Sequence, residues 1–506
     1  MNYSDIQPLE TAIPANRQGA KRHYGVHPYF TRRPYNVVRK YILHYSKEGD
    51  RVLDPFGGSG VTAIEAFLEN RVGIHNDINP LANFIAQGIA DLYKGDINDY
   101  HGALRYLEER CKGALNRINE SGDIELDEIQ AKLSLPANVS LPKTADVGNY
   151  YEMFTRRQLL SLATLKEAVE SIENQWARRG MLLAWSATLA KLNKTFLSAE
   201  GRAESRGGSS IFSIYRYKIA RAPIELPPWE TFLERAANII SAKREIAREI
   251  MLKEQTNGSQ GSFVLHSEDI EDLSKRLSGS IDYIFTDPPY GGHISYLDLS
   301  TLWNSWLGTP PTRNLREKEL IVGGEMLFSE SHYIGRLSKS IEACLRMLKK
   351  DRWLSIVFQH WNTAYFEAIL SAAAESGAEL KAAVSQVGDP IWSMHKKKNK
   401  DSVLAGELIL TFLKSEKAVV SRNDDPFDVA CAVDEMLRNA EEGKIYGEYL
   451  FNKLVIQAWK ASAIQSLRIS KEEFVNLLEE RGWRYDPDDH SWRSNVRIER
   501  PLFALS

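Results

Sequence analysis

The chain has 506 residues, of which 43% are hydrophobic and 26% are charged, and its formal net charge is −3. This length is typical of two to four domains with sizeable cores, and no apolar run is long enough to span a membrane. The three cysteines lie far apart in the chain, which argues against a disulfide framework and against a zinc knuckle. The polar N-terminus lacks the pattern of a secretory signal, so we expect a cytoplasmic protein. A net charge near zero neither supports nor excludes a nucleic-acid partner, because phosphate binding needs only a local basic surface.

The first predicted elements alternate between strand and helix. Residues 51–54 form a short apolar strand, a glycine turn follows, and residues 61–69 have the apolar spacing of a helix. A second strand spans residues 72–75, and another helix begins near Pro80, a residue favoured in a first helical turn. This order predicts the opening of a doubly wound α/β sheet.

The alternation stops after residue 95. The next stretch is predicted to be mainly helix and loop, with helices at residues 154–174, 181–197 and 229–253. We therefore expect a large, mainly helical insertion at residues 96–260, which follows a first half-domain at residues 1–95.

The strand pattern resumes in the second half of the chain. Strands are predicted at residues 263–266, 281–286, 353–358, 379–384 and 407–413. Together with the first two strands they predict a seven-stranded, mostly parallel sheet. We expect a second half-domain at residues 261–418 and a helical C-terminal unit at residues 419–506.

The glycine turn, Asp54-Pro55-Phe56-Gly57-Gly58-Ser59-Gly60, directly follows the first strand. Glycines in this position let the backbone approach a ligand and point amide donors at it. The turn lacks the spacing of a dinucleotide fingerprint and the lysine of a triphosphate-binding loop. The carboxylate of Asp54 disfavours phosphate, so a cationic guest such as a sulfonium or an ammonium fits better. Asp77, at the end of the second strand, is placed to accept hydrogen bonds from ribose hydroxyls. A tight turn without a ligand is the alternative interpretation.

A second motif, Asp287-Pro288-Pro289-Tyr290, directly follows a predicted buried strand. It therefore lies at the carboxyl edge of the sheet, where ligands of open α/β sheets bind. The two prolines fix the backbone, so the Asp287 carboxylate and the Pro288 carbonyl can accept both hydrogens of an exocyclic amino group. Tyr290 offers a face for stacking a base, which has to be flipped out of a duplex to reach it. A rigid exit from the strand without chemistry is the alternative interpretation.

The two motifs together resemble those of the amino-group DNA methyltransferases, over roughly residues 20–95 and 260–415. The resemblance implies a class I Rossmann-like fold, S-adenosylmethionine as methyl donor, and double-stranded DNA as substrate. The implied cofactor-binding residues are His27, Pro28, Tyr29, Asp54, Pro55, Phe56, Gly57, Gly58, Ser59, Gly60, Thr62, Asp77, Ile78, Asn79 and Asp269. The implied catalytic residues are Asp287, Pro288, Pro289 and Tyr290, which would act without a metal in a direct in-line displacement.

The predicted DNA contacts are basic, histidine and aromatic residues outside the core of these motifs. The candidates are Arg32, Arg33, His293, Tyr296, Trp392, Lys396, Lys397 and Lys398. The resembling family usually carries a single target recognition domain, whereas this chain has both a helical insertion and an extra C-terminal unit. Either of them could read the DNA sequence.

The target base has several interpretations at this point. The extension from Tyr290 to Tyr296 is similar to that of adenine-specific members and favours adenine N6, but the tetrapeptide itself occurs in N4-cytosine enzymes as well. An RNA guanine-N2 methyltransferase and a catalytically silent nucleic-acid-binding subunit are the further alternatives. We expect a restriction-modification or phage-defence context, with partner subunits from such a system.

Overall fold

A computed structural model describes residues 2–16, 22–197, 208–221, 223–254, 261–292, 294–386, 407–415, 426–438, 440, 443–445, 447–486 and 491–494. The chain divides into two compact units. The glycine-loop unit comprises Asn16–Asp269 and Gly291–Ser329, and the tetrapeptide unit comprises Met1–Ala15, Ile270–Tyr290 and Glu330–Ser506.

The glycine-loop unit begins with the alternation that the sequence predicts. Its first elements are α1 (Tyr35–Tyr45), β1 (Arg51–Asp54), α2 (Val61–Leu68), β2 (Val72–Asn76) and α3 (Pro80–Asp91). Gly73 on β2 lies so close to α2 that an added Cβ would be 1.9 Å from the carbonyl oxygen of Ala63. The side chain of Asn79 accepts from the N–H of Leu81 and caps α3. Close helix-to-strand packing and this cap position the loops that follow β1 and β2.

The insertion is mainly helical, as predicted. Its elements are α4 (Ile97–Glu120), α5 (Asp123–Gln130), α6 (Arg156–Glu170), α7 (Gln175–Leu189), β3 (Phe196–Leu197), β4 (Gly208–Ser209), α8 (Ser210–Ser213) and α9 (Pro228–Glu254). The predicted helix at residues 181–197 is displaced towards the C-terminus from α7. The helix begins earlier because the Asn174 side chain accepts from the N–H groups of Trp176 and Ala177. It ends earlier because the Asn193 side chain accepts from the N–H of Thr195 at 2.8 Å and turns the chain.

The second half of the chain alternates between the two units. In chain order its elements are β5 (Ser262–His266), α10 (Ile270–Arg276), β6 (Ile281–Thr286), α11 (Tyr296–Leu299), α12 (Thr301–Asn304), α13 (Arg313–Glu317), α14 (Glu330–Met347), β7 (Leu348–Phe358), α15 (Thr363–Glu375), β8 (Ala378–Gln386) and β9 (Glu407–Lys414). Of these, β5 and α11 to α13 belong to the glycine-loop unit.

The predicted seven-stranded, mostly parallel sheet is confirmed. Its strand order is β5-β2-β1-β6-β7-β9-β8. The pairs β1–β2, β2–β5 and β6–β7 are parallel, whereas β9 runs antiparallel to both β7 and β8.

The C-terminal region contains helices, as predicted, and also a small sheet. Its elements are α16 (Val429–Arg438), β10 (Lys444–Ile445), α17 (Gly447–Lys460), α18 (Lys471–Glu480), β11 (Trp483–Asp486) and β12 (Ser491–Ser494). Strand β12 lies antiparallel between β10 and β11, which buries Trp492. Short 3-10 helices occur at Tyr3–Asp5, Arg22–Gly25, Tyr150–Met153 and Ile464–Ser466. Within the described residues, no helix combines the length and the apolar character needed to cross a membrane.

Candidate functional site

Three loops of the glycine-loop unit meet at the carboxyl ends of β1, β2 and β5, and Asn76 joins them. Its Nδ2 donates to the carbonyl oxygens of Pro55 and Glu268, both at 3.1 Å. Its Oδ1 accepts from the N–H of Glu268 at 3.0 Å. Asn76 is buried, so these hydrogen bonds are shielded from water. They hold the glycine turn and the loop of the buried Asp269 in fixed positions.

The backbone of the glycine turn follows a path that residues with a Cβ atom could not follow without strain or clashes. Gly58 and Gly60 have φ angles of +50° and +89°, in the left-handed region that favours glycine. A Cβ added at Gly57 would lie 2.2 Å from Nδ1 of His75. The turn therefore presents backbone rather than side chains along this path.

Asp54 holds the glycine turn together from inside. Its buried carboxylate accepts from the N–H of Phe56 at 3.1 Å and from the hydroxyl of Thr62 at 2.8 Å. Thr62 lies in the first turn of α2, so a single carboxylate joins the end of β1 to the start of the helix. Pro55 and Ser59 are buried in the turn, and Phe56 is partly exposed.

Asp77 is half-buried directly after β2. Its carboxylate accepts from the N–H of Gly58 at 2.9 Å and from the N–H of Asn79 at 2.8 Å. Burial raises the pKa of Asp77 to about 6, and these backbone hydrogen bonds oppose the rise. Because each carboxylate oxygen can accept more than one hydrogen bond, Asp77 can also receive hydroxyl donors from a ligand. Ile78 is partly exposed beside it.

The segment from His27 to Arg32 is fastened to the glycine turn. Arg32 donates to the carbonyl oxygen of His27 at 2.6 Å and to the hydroxyl of Ser59 at 3.0 Å. The Nδ1 atom of His27 lies 2.7 Å from the carbonyl oxygen of Pro28, and its Nε2 lies 2.9 Å from Oγ of Ser186. Burial lowers the pKa of His27 to about 3, so the ring is neutral, with Nδ1 donating and Nε2 accepting. The imidazole therefore orients this segment through partners within the protein.

The predicted cofactor residue Tyr29 and the predicted DNA contact Tyr296 pack on each other. Their rings are stacked, with centroids 6.5 Å apart and an interplanar angle of 24°. Tyr296 also meets Phe30 edge-on at 5.6 Å, and its hydroxyl lies 3.3 Å from that of Thr31. A Cβ added at Gly58 would lie 3.2 Å from the ring of Tyr29. The first turn of α11 thus belongs to the surroundings of the glycine turn.

The other predicted DNA contacts are only partly described. Arg32 is engaged with the glycine turn, and Arg33 beside it is partly exposed. His293, Trp392, Lys396, Lys397 and Lys398 lie outside the described residues. A DNA contact by any of these residues stays a prediction.

Sequence reasoning missed a pair of buried carboxyl groups, Asp298 and Glu319. Glu319 accepts from the N–H of Leu297 at 3.1 Å, and Asp298 is paired with Arg316 at 3.1 Å. Burial raises the pKa of Glu319 to about 8, the hydrogen bond from Leu297 opposes the rise, and the charges of Asp298 and Asp77 add to it. Glu319 is therefore mainly a neutral acid at pH 7.

We expect Glu319→Gln to remove a pH dependence of stability. Because folding raises the pKa of Glu319 from 4.5 to about 8, its stabilising contribution is complete below the lower value and is lost as the pH rises through the upper one. Relative to the variant, the wild type should lose up to about 1.4 kcal/mol per pH unit in this window. Thermal unfolding of both proteins between about pH 5 and pH 8.5 measures the difference, in which other groups cancel. A difference that does not change with pH would show that Glu319 is ionised in the folded protein.

In the tetrapeptide unit, Asp287-Pro288-Pro289-Tyr290 leaves β6, whose residues are all buried. The hydroxyl of Tyr290 donates to Oδ1 of Asp287. The hydroxyl of Tyr333 on α14 donates to the carbonyl oxygen of Pro289 at 2.5 Å. Asp287 and Tyr290 are partly exposed, whereas Pro288 is buried. These contacts hold the carboxylate in a defined orientation at the end of the strand.

An aromatic cluster fixes the ring of Tyr290. Phe358, the last residue of β7, meets this ring edge-on with centroids 5.2 Å apart. Phe358 in turn contacts Tyr365 and Phe366 on α15. The hydroxyl of Tyr365 donates to Glu330 at 2.8 Å, which anchors the cluster to α14. The orientation of Tyr290 is therefore set by β7 and two helices as well as by Asp287.

The glycine-loop unit fits a ligand that carries a positive charge and ribose hydroxyls. The turn contains no lysine or arginine that would favour phosphate, and carboxylates follow both β1 and β2. The side of Gly57 on which a Cβ would lie is filled by the buried ring of His75, so the turn passes there as bare backbone. S-adenosylmethionine has this charge and these hydroxyls. Among the described residues, no three histidine, cysteine, aspartate or glutamate side chains are grouped to hold a metal ion.

The sheet with its single antiparallel strand β9, and a glycine turn after its first strand in the chain, defines a class I methyltransferase fold. Residues 4–87 match the model of a family described as DNA methylase, that of the N6/N4 amino-group DNA methylases. Members of the family use S-adenosylmethionine as methyl donor, and DNA is the substrate. The chain is also similar to the type II methyltransferase M.MjaII of Methanocaldococcus jannaschii, with 22% identity over 404 residues that cover 70% of this chain and 75% of that protein.

Proposed function

We propose that this DNA methyltransferase acts on adenine N6 of a base flipped out of duplex DNA. The observation that carries amino-group methylation, for adenine and cytosine alike, is the Asp287 carboxylate, which the Tyr290 hydroxyl holds at the end of the buried strand β6. A carboxylate held in this way accepts one hydrogen of an exocyclic amino group, and the carbonyl oxygen of Pro288 accepts the other. Together they turn the nitrogen lone pair towards an electrophile.

The proposed mechanism needs little covalent chemistry from the protein. S-adenosylmethionine supplies an electrophilic methyl group on a sulfonium sulfur when it is bound. Asp287 stabilises the positive charge that develops on the amino nitrogen, as a preorganised acceptor does in a site protected from water. The ring of Tyr290, fixed by Phe358, stacks on the base. In-line transfer requires the nitrogen and the methyl carbon to approach to about 3–3.5 Å.

The proposed cofactor contacts come from the glycine-loop unit. The backbone of Gly57 to Gly60 borders the cofactor, and Asp77 accepts hydrogen bonds from its ribose hydroxyls. Asp269 lies in the loop that Asn76 holds in place. Asp54 and His27 act by shaping the turn and the preceding segment, because their described partners lie within the protein. Calorimetric titration with S-adenosylhomocysteine tests this assignment through the dissociation constants of Asp77→Ala and of the wild type.

The extension from Tyr290 to Tyr296 resembles that of adenine-specific members of the family, and this resemblance supports adenine over cytosine. The test is to express the chain in a host without DNA methyltransferases, hydrolyse its DNA and identify the methylated nucleoside by mass spectrometry. N6-methyladenine supports the proposal, and N4-methylcytosine alone overturns the choice of base. Long-read sequencing of the same DNA reports the recognition sequence.

The two remaining alternatives have separate outcomes in the same host. Methylation of guanine N2 in RNA, with unmodified DNA, would identify an RNA enzyme. No methylation, together with no binding of S-adenosylhomocysteine, would identify a silent nucleic-acid-binding subunit. The intact glycine turn and tetrapeptide support an active DNA enzyme over both.

We also propose that the modification protects DNA in a restriction-modification setting, supported by the similarity to a type II methyltransferase. DNA from the expressing host should then resist a nuclease that cleaves the mapped site, whereas DNA from cells with Asp287→Ala should be cut. Either the insertion at residues 96–260 or the C-terminal segment at residues 419–506 is the proposed reader of the DNA sequence.

A further inference from the structure

A short hairpin in the glycine-loop unit carries an unusually exposed leucine. Gly323 and Phe328 exchange two backbone hydrogen bonds, at 2.8 and 2.9 Å, and close a tight loop. Leu327 lies at the tip with 75% of its surface exposed, although its side chain is apolar. Its φ angle is +54°, in the left-handed region that leucine rarely adopts. Asparagine or glycine would suit this backbone better, so the hairpin carries an apolar side chain at a steric cost.

The hairpin is anchored on two sides. The side chain of Glu325 accepts from the backbone N–H of Lys143 at 2.8 Å, which ties the tip to the helical insertion. At the other end, a Cβ added at Gly292 would lie 3.1 Å from the carbonyl oxygen of Val322. Gly292 is the second residue after Tyr290 in the chain. The exposed leucine therefore stands on a braced loop that packs against the chain segment leaving the tetrapeptide.

The insertion loop that is tied to this hairpin carries basic side chains, as does the segment joined to that loop. Lys143 and Lys218 are exposed, and Arg216 lies half exposed on the same segment as Lys218. That segment is joined to the loop of Lys143 by Asp146, which pairs with Arg216 at 2.8 Å and accepts from the N–H of Ile219 at 3.2 Å. An exposed apolar tip joined to a loop with exposed cations matches a duplex better than an apolar protein surface, because phosphates flank the base stack.

We propose that Leu327 is a wedge that enters the base stack beside the target base and occupies space that the flipped base leaves. The proposal rests on the proposed function, since a wedge is needed only if the base leaves the duplex. Apolar side chains are used in this way by proteins that unstack and kink DNA. The braced hairpin supplies the rigidity that such an insertion requires.

The test compares Leu327→Ala with the wild type on two duplexes that contain the mapped site. One duplex is fully paired, and the other has an abasic residue opposite the target base, so the base is already unpaired. We expect Leu327→Ala to lower kcat/KM on the paired duplex by about 10- to 100-fold, because the cost of unstacking is no longer offset. On the abasic duplex its activity should approach that of the wild type, and its affinity for S-adenosylhomocysteine should be unchanged.

Two control variants separate the wedge from a folding effect. Leu327→Asn suits the left-handed backbone and should unfold at the same temperature as the wild type or higher, yet lose activity on the paired duplex as the alanine variant does. Leu252→Ala removes another exposed leucine, 64% exposed on α9, and should leave activity unchanged. Wild-type activity of Leu327→Ala on the paired duplex, or an equal loss on both duplexes, would overturn the wedge. Failure of the wild type on both duplexes would instead contradict the proposed function.

Discussion

Asp287→Ala is expected to lower methyl transfer to DNA by about 10²- to 10⁴-fold, the range associated with losing a positioned catalytic group. The variant loses the acceptor of an amino hydrogen and the negative charge opposite the developing ammonium. It also releases the hydroxyl of Tyr290, whose described partner is Oδ1 of Asp287. Asp287→Asn keeps one acceptor oxygen without the charge, so its activity should lie between those of the alanine variant and the wild type.

Tritium transfer from methyl-labelled S-adenosylmethionine to duplex DNA measures the rate, and calorimetry with S-adenosylhomocysteine measures cofactor affinity. Affinity should change little, because the proposed cofactor contacts lie in the other unit. Asp272→Ala is the matched control: it removes an exposed carboxylate from α10 in the same unit and should keep full activity. An Asp287→Ala protein that methylates DNA at the wild-type rate would remove Asp287 from the mechanism.

The strands of the sheet were predictable where short apolar runs end at turn residues. β6 has the predicted bounds, since its buried run stops at Asp287. β7 begins at Leu348, five residues before the predicted start at residue 353. The prediction starts too late because polar residues interrupt the apolar run of this strand. Two of them, Lys349 and Arg352, pair with the buried Asp282 on β6. Such pairs join residues that are distant in the chain, so a local hydrophobic pattern does not reveal them.

The motifs of the site were predictable, but the residues that support them were not. Asn76 holds the loop of Glu268, which is 192 positions away in the chain. The position of Asn76, a polar residue directly after a predicted apolar strand, was a sequence signal for a structural role. Its hydrogen-bond partner could not be predicted, because the fold brings that partner close. Glu319 lies in a stretch rich in charged residues, a pattern that predicts solvent exposure, yet tertiary packing buries its side chain. Local charge predicts a DNA contact for Arg32, and this contact stays a prediction, while its bonds to Ser59 and His27 depend on the fold.

Gly57→Ala is expected to weaken cofactor binding by at least about tenfold, or about 1.4 kcal/mol. Its Cβ would lie 2.2 Å from Nδ1 and 2.5 Å from Cε1 of His75, so either the ring or the turn has to move. The ring is constrained, because Nε2 of His75 lies 3.0 Å from Oδ1 of Asn83 and the side chain is buried. Overpacking of this kind costs about 1–3 kcal/mol of folding stability, which should lower the unfolding temperature.

The source of this effect can be isolated with a double-mutant cycle between Gly57→Ala and His75→Ala. If the imidazole causes the clash, Gly57→Ala should cost less stability and less cofactor affinity when His75 is already alanine. Gly113→Ala is the matched control, because no atom lies within 4 Å of its added Cβ on α4, and it should leave affinity unchanged. Equal effects of Gly57→Ala in both backgrounds would mean that the turn is not shaped by its packing on His75. If Gly57→Ala alone binds S-adenosylhomocysteine with wild-type affinity, the cofactor does not bind at this turn.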